Sequence, residues 1–528
     1  MTISVLDSTL RDGAQGERIS YSVQDKLHLV ETLDELGVTF IEAGNPGSNP
    51  KDMEFFKRLK KLRLKHAEVA AFGATRRKDT RPAEDTNLQQ LLGACTATVV
   101  VFGKASPFQV KEILKADMTE NLDMIAETVE FLKANDRDVI FDAEHFFDAL
   151  REDRDYALKT LEAAASAGAS CVALCDTRGG ALPSDIKEAV EAARKALPEN
   201  VALGIHAHDD LGLGIANTLA AVEAGARHVQ GTFLGFGERT GNANLSAVIA
   251  TLELKMGCKV LPEGMLSQLT PTAKRVAEIT NITLNPALPY VGQNAFAHKA
   301  GMHIDAVIKN PSAYEHIQPE TVGNVRVFLM SEVAGRSTII EKLKKFDPGI
   351  EKNSETVALI TKKVKEMEHW GYQFEGADGS FELLLRKTIG KYRPFFKLHY
   401  YKILGEKPRP DNSQCSFAQI KIEVDDKIEV TAGEGDGPVH ALDIALRKAL
   451  ERFYPAVSAV RLIDYKVRVL DASTAARVRV LIESTDGSDT WTTVGVSADI
   501  VEASWIAIVD SFEYKFIKDV EKKFRLLL

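Results

Sequence analysis

The feature that most constrains this chain is a regular alternation of short β-rich runs and amphipathic helical runs over its first half. Eight candidate strands cover residues 3–8, 39–43, 68–72, 96–102, 138–142, 170–175, 202–206 and 228–231. The helical runs between them include 23–36, 119–134, 153–167, 184–197 and 213–224, and several are followed by a glycine suited to a helix C-cap, at Gly37, Gly168 and Gly225. Eight β-α units within roughly 255 residues predict an α/β fold, a (β/α)₈ TIM barrel.

An open, doubly wound sheet is the competing topology for the same alternation. Such a sheet leads us to expect a glycine-rich phosphate-binding turn after the first strand. Here the first strand instead runs into Leu10-Arg11-Asp12-Gly13-Ala14-Gln15. The sequence therefore favours the barrel.

Polar side chains collect where the predicted strands end. Catalytic groups of a TIM barrel lie at the C-terminal ends of its strands, on one face. Six strand ends carry such groups, namely Asp7, Arg11 and Asp12; Glu42 and Asn45; Asp142, Glu144 and His145; Asp176, Thr177 and Arg178; His206 and His208; and Glu238, Arg239 and Asn242. A single carboxylate there is usually a helix cap or a solvated loop residue, but six strand ends together predict one catalytic face.

His206 and His208 close the seventh predicted strand, after an apolar run. Side chains two residues apart on a strand point to the same face, so both imidazoles would enter one cavity. Such a pair can bind one metal ion, or it can be a purely structural pair. This stretch alone leaves both interpretations open.

Three motifs in a fixed order carry a resemblance to a known family. They are Leu10-Arg-Asp-Gly-x-Gln15, His206-x-His208 and Gly237-Glu-Arg-Thr-Gly-Asn242. The set resembles the acyl-CoA-condensing family of isopropylmalate, homocitrate and citramalate synthases, whose relatives are the hydroxymethylglutaryl-CoA lyase-like barrels. A fourth segment, 294–305, resembles the post-barrel subdomain that the synthases have and the lyases lack.

The middle of the barrel bears on the substrate that the resemblance implies. The runs at 70–77, 101–106 and 141–148 resemble the long bacterial citramalate synthases, and the His-x-Phe-Ile-Ala-Thr-Ser segment typical of isopropylmalate synthases is missing. This resemblance implies condensation of acetyl-CoA with pyruvate rather than with a branched 2-oxoacid. The alternatives are an isopropylmalate or homocitrate synthase, a retro-aldol lyase, and a non-catalytic amino-acid sensor.

The resemblance also implies a metal site. Asp12, His206 and His208 match the family's ligands for a divalent cation, and Asn242 matches a position that supports it directly or through water. The family works with Mg²⁺ or Mn²⁺, whereas two imidazoles and a carboxylate also suit Zn²⁺ or Co²⁺. Arg11 would bond the developing oxyanion, or would form only an ion pair with Asp12.

Further roles follow from the same resemblance. His303 is the expected general base, oriented by Glu238 and accompanied by Tyr314. Glu144 and Thr177 would bind the 2-oxoacid, with Glu144 acting in acid–base chemistry or only steering the substrate. Three other histidines are expected to be bystanders, namely His145, His298 and His316.

The second half predicts a different organisation. We expect a barrel over 1–260, connecting subdomains that complete the active site over 261–392, and an α+β regulatory domain over 393–528. Charged helices are expected within 333–370, and strands near 395–404 and at 419–424, 427–432, 465–470 and 477–483. The last part contains a near-repeat in which Gly433 precedes Ala441 and Ala445 as Gly495 precedes Ala503 and Ala507.

This last part resembles the synthases' C-terminal dimeric regulatory domain. The resemblance implies a homodimer and isoleucine as the feedback effector, and glycine turns at helix N-termini suit a carboxylate ligand. A domain that only dimerises is the alternative.

Charge and cysteine content narrow the remaining classes. A formal net charge of −9 argues against a broad nucleic-acid surface, and no apolar run approaches the length needed to span a bilayer. The N-terminus lacks the layout of a signal peptide. The five cysteines are odd in number and show no Cys-x-x-Cys spacing, which favours a reducing cytoplasm.

Overall fold

A computed structural model describes residues 1–48, 50–328, 340, 343, 355–374, 376–406, 415–470 and 476–527. The chain divides into two compact units, of which the first comprises Met1–Phe296 and Ile317–Arg326 and the second comprises Ala297–His316 and Val327–Leu528. The finer division at 260 and 392 stays a prediction.

The first unit is built on a closed barrel of eight parallel strands, which confirms the predicted TIM barrel. Its strands are β1 (Ser4–Asp7), β2 (Phe40–Glu42), β3 (Glu68–Ala74), β4 (Thr98–Lys104), β5 (Asp138–Glu144), β6 (Cys171–Asp176), β7 (Ala202–Ala207) and β8 (His228–Gly231). All eight predicted strands are present. Because β1 pairs with both β2 and β8, the sheet closes on itself and the open doubly wound alternative is wrong.

Helices surround the strands in the predicted alternation. They are α1 (Val23–Leu36), α2 (Pro50–Leu59), α3 (Thr86–Ala94), α4 (Met118–Ala134), α5 (Phe146–Glu152), α6 (Arg154–Ser166), α7 (Pro183–Ala196), α8 (Gly214–Ala224), α9 (Leu245–Leu254) and α10 (Leu269–Thr280). Gly37 ends α1 with a φ of 94°, a left-handed conformation that disfavours side chains, so the predicted C-cap is confirmed there.

The barrel interior has an apolar floor. Leu6, Ala70, Val100, Ile140 and Cys171 form a small buried cluster separate from the large core between strands and helices. Strand side chains on one face recur every second residue. The residues two and four positions further along these strands therefore face the same interior, nearer the C-terminal mouth, where the predicted polar groups lie.

The second unit begins with a small parallel pair of strands and a short helix. These are β9 (Ala297–His298), β10 (Val327–Phe328) and α11 (Gly301–Lys309). Two helices follow, α12 (Glu355–His369) and α13 (Asp378–Thr388). The charged helix expected at the end of 333–370 is thus confirmed as α12, whereas most of 333–354 lies outside the described residues.

Two similar β-β-β-α modules complete this unit. The first has β11 (Lys397–Glu406), β12 (Cys415–Val424), β13 (Lys427–Gly435) and α14 (Pro438–Glu451); the second has β14 (Arg461–Val469), β15 (Val478–Thr485), β16 (Thr490–Ser497) and α15 (Ile500–Leu527). Each set of three strands forms an antiparallel sheet in sequence order. No helix among the described residues combines the length and the apolar character needed to cross a membrane.

Close helix–sheet packing confirms the predicted near-repeat. A Cβ built on Gly433 would lie 2.8 Å from the carbonyl oxygen of Ala441, and one built on Gly495 would collide with the carbonyl oxygen of Ala503. In the same way, the Thr431 hydroxyl donates to the Ala445 carbonyl at 2.6 Å and the Thr493 hydroxyl donates to that of Ala507 at 2.7 Å. The glycines are therefore required because the helix backbone lies directly on the strand.

Candidate active site

A cavity of about 220 Å³ opens at the C-terminal ends of the barrel strands. It is lined by Arg11, Asp12, Gln15, Phe72, Phe102, Asp142, Glu144, Cys175, Thr177, His206, His208, Glu238 and Arg239. Residues from or following seven of the eight strands, all but β2, thus meet at one place. All predicted site residues of the barrel except Asn242 line this cavity, and their catalytic role stays a prediction.

Asp12, His206 and His208 form a cluster with the composition of a metal site. One ligand atom from each residue lies within 4.8 Å of the others, and all three residues are buried. The Nε2 atom of His206 lies 3.7 Å from Oδ2 of Asp12. The loop after β1 supplies the carboxylate, and the end of β7 supplies both imidazoles.

Hydrogen bonds at the far side of each ring define which nitrogen is available as a ligand. His206 Nδ1 lies 2.9 Å from Oε1 of Gln230, and His208 Nδ1 lies 3.2 Å from the carbonyl oxygen of Gly241. Because both partners are acceptors, each Nδ1 is assigned the proton and each Nε2 keeps its lone pair. The Gln230 amide is itself oriented, since its Nε2 donates to Oδ1 of Asp142 at 2.8 Å.

Asn242 completes the cluster from the loop after β8. Its Nδ2 donates to Oδ1 of Asp12 at 3.0 Å, whereas its Oδ1 is buried and has no hydrogen-bond partner within the described chain. A buried carbonyl oxygen without a partner costs free energy unless something binds it. A carboxylate, two imidazole lone pairs and this amide oxygen together fit a divalent cation.

The charge states of the cluster suit metal ligation. Burial opposes ionisation of Asp12, yet the Arg11 guanidinium and the two imidazoles hold the pKa of its carboxyl well below the usual range. Burial lowers the pKa of His206, and it lowers the pKa of His208 to about 4. At neutral pH the site therefore offers an ionised carboxylate and two neutral imidazoles, the forms in which these side chains bind metals.

Arg11 is held on three sides. Its Nη2 lies 3.3 Å from Oε2 of Glu42, and its Nε donates to Oε1 of the same carboxylate. Its Nη1 lies 2.9 Å from Oδ2 of Asp12, and its guanidinium carbon lies 3.9 Å from the centre of the Phe72 ring. The ion pair with Asp12 is therefore present, but the guanidinium also lines the cavity in a fixed orientation, ready to bond a ligand oxygen.

Glu144 and Thr177 lie on the side of the cavity formed by β5 and β6. The Thr177 hydroxyl oxygen accepts a hydrogen bond from the backbone N–H of His145 at 2.8 Å, which leaves its proton free to donate. Glu144 forms an ion pair with Lys104 through its Oε2 atom. Nδ1 of His145 lies 3.4 Å from Oδ2 of Asp148, and the bystander role of His145 stays a prediction.

Burial also acts on Asp142 and Cys175, two further residues of the cavity wall. It raises the pKa of Asp142 to about 8, with the neighbouring charge of Glu42 acting in the same direction. It raises the pKa of Cys175 well above its ordinary value. A neutral thiol is a poor nucleophile, so Cys175 lines the cavity and is not expected to react.

The predicted base and its partners are divided between the two units. His303 and Tyr314 belong to the second unit, where their rings stack with centroids 4.1 Å apart and both side chains are exposed. Glu238 belongs to the first unit and lines the cavity. The pairing of His303 with Glu238 stays a prediction. His298, an expected bystander, is buried against Glu315 with Nε2 and Oε1 3.0 Å apart.

Sequence reasoning missed two residues that organise this site and gave no role to two others. Gln230 and Lys104 were not predicted as site residues, and Glu42 and Asp142 were noted only as polar residues at strand ends. A signal existed for each, because all four occupy inward-facing positions of barrel strands. A polar residue at an inward position of a buried strand needs a partner, and that partner is most often part of the site.

Replacing Gln230 with leucine is expected to lower metal affinity by about 10- to 100-fold, because His206 would lose the acceptor that fixes its ring and tautomer. The measurement is calorimetric titration of the metal-stripped protein with Mn²⁺. Gln230→Glu is the matched variant, since its carboxylate retains an acceptor for Nδ1 and should preserve more of the affinity. Equal affinity of Gln230→Leu and the unchanged protein would contradict this role.

Comparison with known families divides the chain into three matches. Residues 2–276 match the HMGL-like family, residues 290–371 match the family described as homocitrate synthase post-HMGL domain-like, and residues 375–516 match the LeuA allosteric (dimerisation) domain. The first match spans the barrel and every residue of the proposed metal cluster. The third spans both β-β-β-α modules up to residue 516.

Curated relatives match the chain over nearly its full length. The (R)-citramalate synthase of Aquifex aeolicus is 48% identical over 98% of this chain and 99% of the relative. That of Geobacter sulfurreducens is 47% identical over 98% of each chain. A 2-isopropylmalate synthase of Methanocaldococcus jannaschii is 30% identical over 96% of this chain and 93% of the relative.

Proposed function

This chain belongs to the (R)-citramalate synthase family, and we propose that it catalyses the metal-dependent condensation of acetyl-CoA with pyruvate, which yields citramalate and CoA. The observation that carries the proposal is the identity of 44–48% to five (R)-citramalate synthases over nearly the whole chain. The cluster of Asp12, His206 and His208 beside Arg11 supplies the chemistry that such a reaction needs.

The alternatives explain less of the chain. An isopropylmalate or homocitrate synthase is not favoured, since the five relatives of 44–48% identity are (R)-citramalate synthases, whereas the 2-isopropylmalate synthase of Methanocaldococcus jannaschii is 30% identical. A retro-aldol lyase would account for the barrel but leaves the matches at 290–371 and 375–516 unexplained. A non-catalytic sensor would not need Arg11 and the intact cluster of metal ligands.

The metal in this proposal is Mg²⁺ or Mn²⁺, with Zn²⁺ or Co²⁺ as the softer alternatives. Asp12, His206 and His208 would hold it, with the Asn242 amide oxygen in support. When bound, such a cation polarises and orients the ketone of the 2-oxoacid. The remaining chemistry falls to the side chains around it.

Arg11 and the wall of β5 and β6 would bind pyruvate. As the new C–C bond forms, the π electrons of the ketone move onto its oxygen, and the guanidinium fork of Arg11 stabilises that charge because it is already fixed by Glu42 and Phe72. The Thr177 hydroxyl would donate to the pyruvate carboxylate, and Glu144 would orient the substrate or exchange a proton with it.

His303 would remove the proton from the acetyl methyl group, with Glu238 orienting its ring and Tyr314 beside it. The resulting carbanion attacks the ketone carbon, the alkoxide takes up a proton, and water then hydrolyses the thioester to release the CoA thiol. A second cavity of about 330 Å³ shares Arg11, Gln15 and Phe72 with the first.

A panel of 2-oxoacids tests the proposed function directly. With acetyl-CoA and Mn²⁺ present, release of the CoA thiol should be fastest with pyruvate. It should be slower with 2-oxoisovalerate and 2-oxoglutarate, whose larger groups would meet the rings of Phe72 and Phe102, and slower with glyoxylate, which lacks the methyl group that those rings would contact. One extra methylene in such a pocket changes selectivity by about 10- to 200-fold. Preference for any of the other three acids would refute the assignment.

The C-terminal modules would bind isoleucine and pair two chains into a homodimer. The LeuA allosteric (dimerisation) domain match supports regulation and pairing by this part of the chain, and the glycine-containing turn that precedes α14 suits a carboxylate ligand, whereas Gly495 lies within β16 and not in a turn. Four free cysteines among the described residues also agree with a cytoplasmic location.

We expect L-isoleucine to inhibit CoA release and to raise the melting temperature, because a ligand that binds only the folded state stabilises it. D-isoleucine serves as the matched control ligand, and light scattering reports the oligomeric state in the same buffer. Equal responses to both enantiomers would exclude a specific isoleucine site.

A further inference from the structure

We propose that Lys104 is a positioning residue of the catalytic cavity, which holds the Glu144 carboxylate in one orientation and acts on the reaction only through it. The proposal rests on the function proposed above, because it concerns the binding of the 2-oxoacid at that cavity. It concerns the steering role of Glu144, one of the two roles open to that residue.

The two side chains are brought together by the register of the barrel. Lys104 is the last residue of β4, Glu144 is the last residue of β5, and the two are direct partners in the parallel pairing of these strands. The Lys104 ammonium forms an ion pair with Oε2 of Glu144, and the side chains are 16% and 22% exposed. At this degree of burial, solvent screens the interaction far less than on an open surface.

Lys104 does not line the catalytic cavity, and its contact with that cavity is made by way of Glu144. Glu144 lines the 220 Å³ cavity, whereas Lys104 lines a separate cavity of about 300 Å³. That second cavity is also lined by Arg76, Arg77 and Lys78, and no acidic side chain is among its lining residues. Arg76 is paired with Glu120 and Glu127, so Glu144 is the carboxylate with which Lys104 itself pairs.

The pairing has a chemical consequence for Glu144. The ammonium carries three N–H donors, and the Glu144 carboxylate oxygens can accept hydrogen bonds from such donors. It also restricts a side chain with three rotatable bonds at the point where the substrate must be aligned. Small errors of alignment at a reacting centre cost large factors in rate. Lys104 therefore holds the Glu144 carboxylate in a fixed orientation beside the bound 2-oxoacid.

A double-mutant cycle tests the proposal in the full-length, metal-loaded enzyme. Lys104→Met, Glu144→Gln and the double variant are assayed with the 2-oxoacid that the unchanged enzyme uses best in the substrate panel. We expect each single variant to lose about 10- to 100-fold in kcat/KM. The double variant should match Glu144→Gln within about twofold, because without its carboxylate Lys104 has nothing to position.

Lys104→Arg keeps the positive charge and should therefore have a higher kcat than Lys104→Met. If only the volume of the Lys104 side chain mattered, the charge of the replacement would make no such difference. Lys104→Gln provides a second neutral variant if Lys104→Met melts early. Lys133→Met is the matched control, since Lys133 pairs at 3.2 Å with Asp138 at the opposite end of β5 and should retain full activity.

Multiplicative losses in the double variant would overturn the proposal, as would full activity of Lys104→Met or Lys104→Gln. Failure of the proposed function is distinguishable from both results. It would appear in the substrate panel of the unchanged enzyme as a preference for another 2-oxoacid, and the cycle would then be measured with that acid.

Discussion

Replacing His206 with alanine is expected to abolish tight metal binding and turnover together. His206 is buried, its Nε2 lies 3.7 Å from Oδ2 of Asp12, and Gln230 holds its opposite nitrogen, so its removal leaves the cluster with only Asp12 and His208. Loss of one of three protein ligands should lower metal affinity by more than the roughly 10- to 100-fold typical of outer residues such as Gln230. Turnover should fall by at least about 10³-fold, because the charge that balances the developing alkoxide is lost.

Two measurements separate this expectation from simple unfolding. Calorimetric titration with Mn²⁺ gives metal affinity, and thermal melting of the metal-stripped protein shows whether the barrel is intact. His28→Ala is the matched control, since His28 is an exposed histidine on α1 of the same barrel. A His206→Ala variant that binds Mn²⁺ normally yet fails to turn over would assign His206 to another role.

The barrel was predictable because strand-like and helix-like segments alternate regularly along the first half of the sequence. Buried strands with alternating helices leave few topologies, and all eight strand positions follow from apolar runs and glycine stops. The strand ends were less easily defined. The structure extends β4 to Lys104 and β5 to Glu144, two residues beyond the predicted ends, and this extension is what makes Lys104 and Glu144 direct partners.

The candidate site was predictable only where a motif names the residues. Asp12, His206 and His208 come from motifs with fixed spacing, and the structure brings them together. Gln230 and Lys104 carry no such motif. Their roles depend on which side chains meet inside the barrel. Gln230 on β8, for example, donates a hydrogen bond to Asp142 on β5, and the residues next to either one in the sequence do not reveal this contact.

The C-terminal near-repeat shows what spacing alone can establish. Glycine and alanine at matched positions predicted strand–helix contact, and the structure explains the pattern through backbone proximity at Gly433 and Gly495. The same spacing cannot identify an effector, because glycine and alanine provide space but no chemical selectivity. The proposal that isoleucine binds here therefore rests on the family resemblance, and the inhibition and melting experiment tests it.

Replacing Arg11 with lysine is expected to leave pyruvate binding largely intact while removing most of kcat. Lysine keeps the positive charge, so KM should change by no more than about fivefold. It cannot reproduce a planar fork that bonds Glu42 and Asp12 at once and stacks 3.9 Å from Phe72. An ammonium on a flexible stem must reorganise as charge develops on the ketone oxygen, so kcat should fall by about 10²- to 10³-fold.

A large fall in kcat with little change in KM would distinguish stabilisation of the alkoxide by Arg11 from a simple ion pair between Arg11 and Asp12. If Arg11 only neutralised Asp12, lysine would serve nearly as well, and both constants would stay close to those of the unchanged enzyme. Steady-state kinetics with varied pyruvate at saturating acetyl-CoA and Mn²⁺ measure the two constants. Arg452→Lys is the control, because Arg452 bonds the Glu429 carboxylate at 2.8 and 2.7 Å in the second unit, and its replacement should leave kcat unchanged. An Arg11→Lys enzyme with full kcat would show that a point charge suffices and that the fixed guanidinium has no part in stabilising the alkoxide.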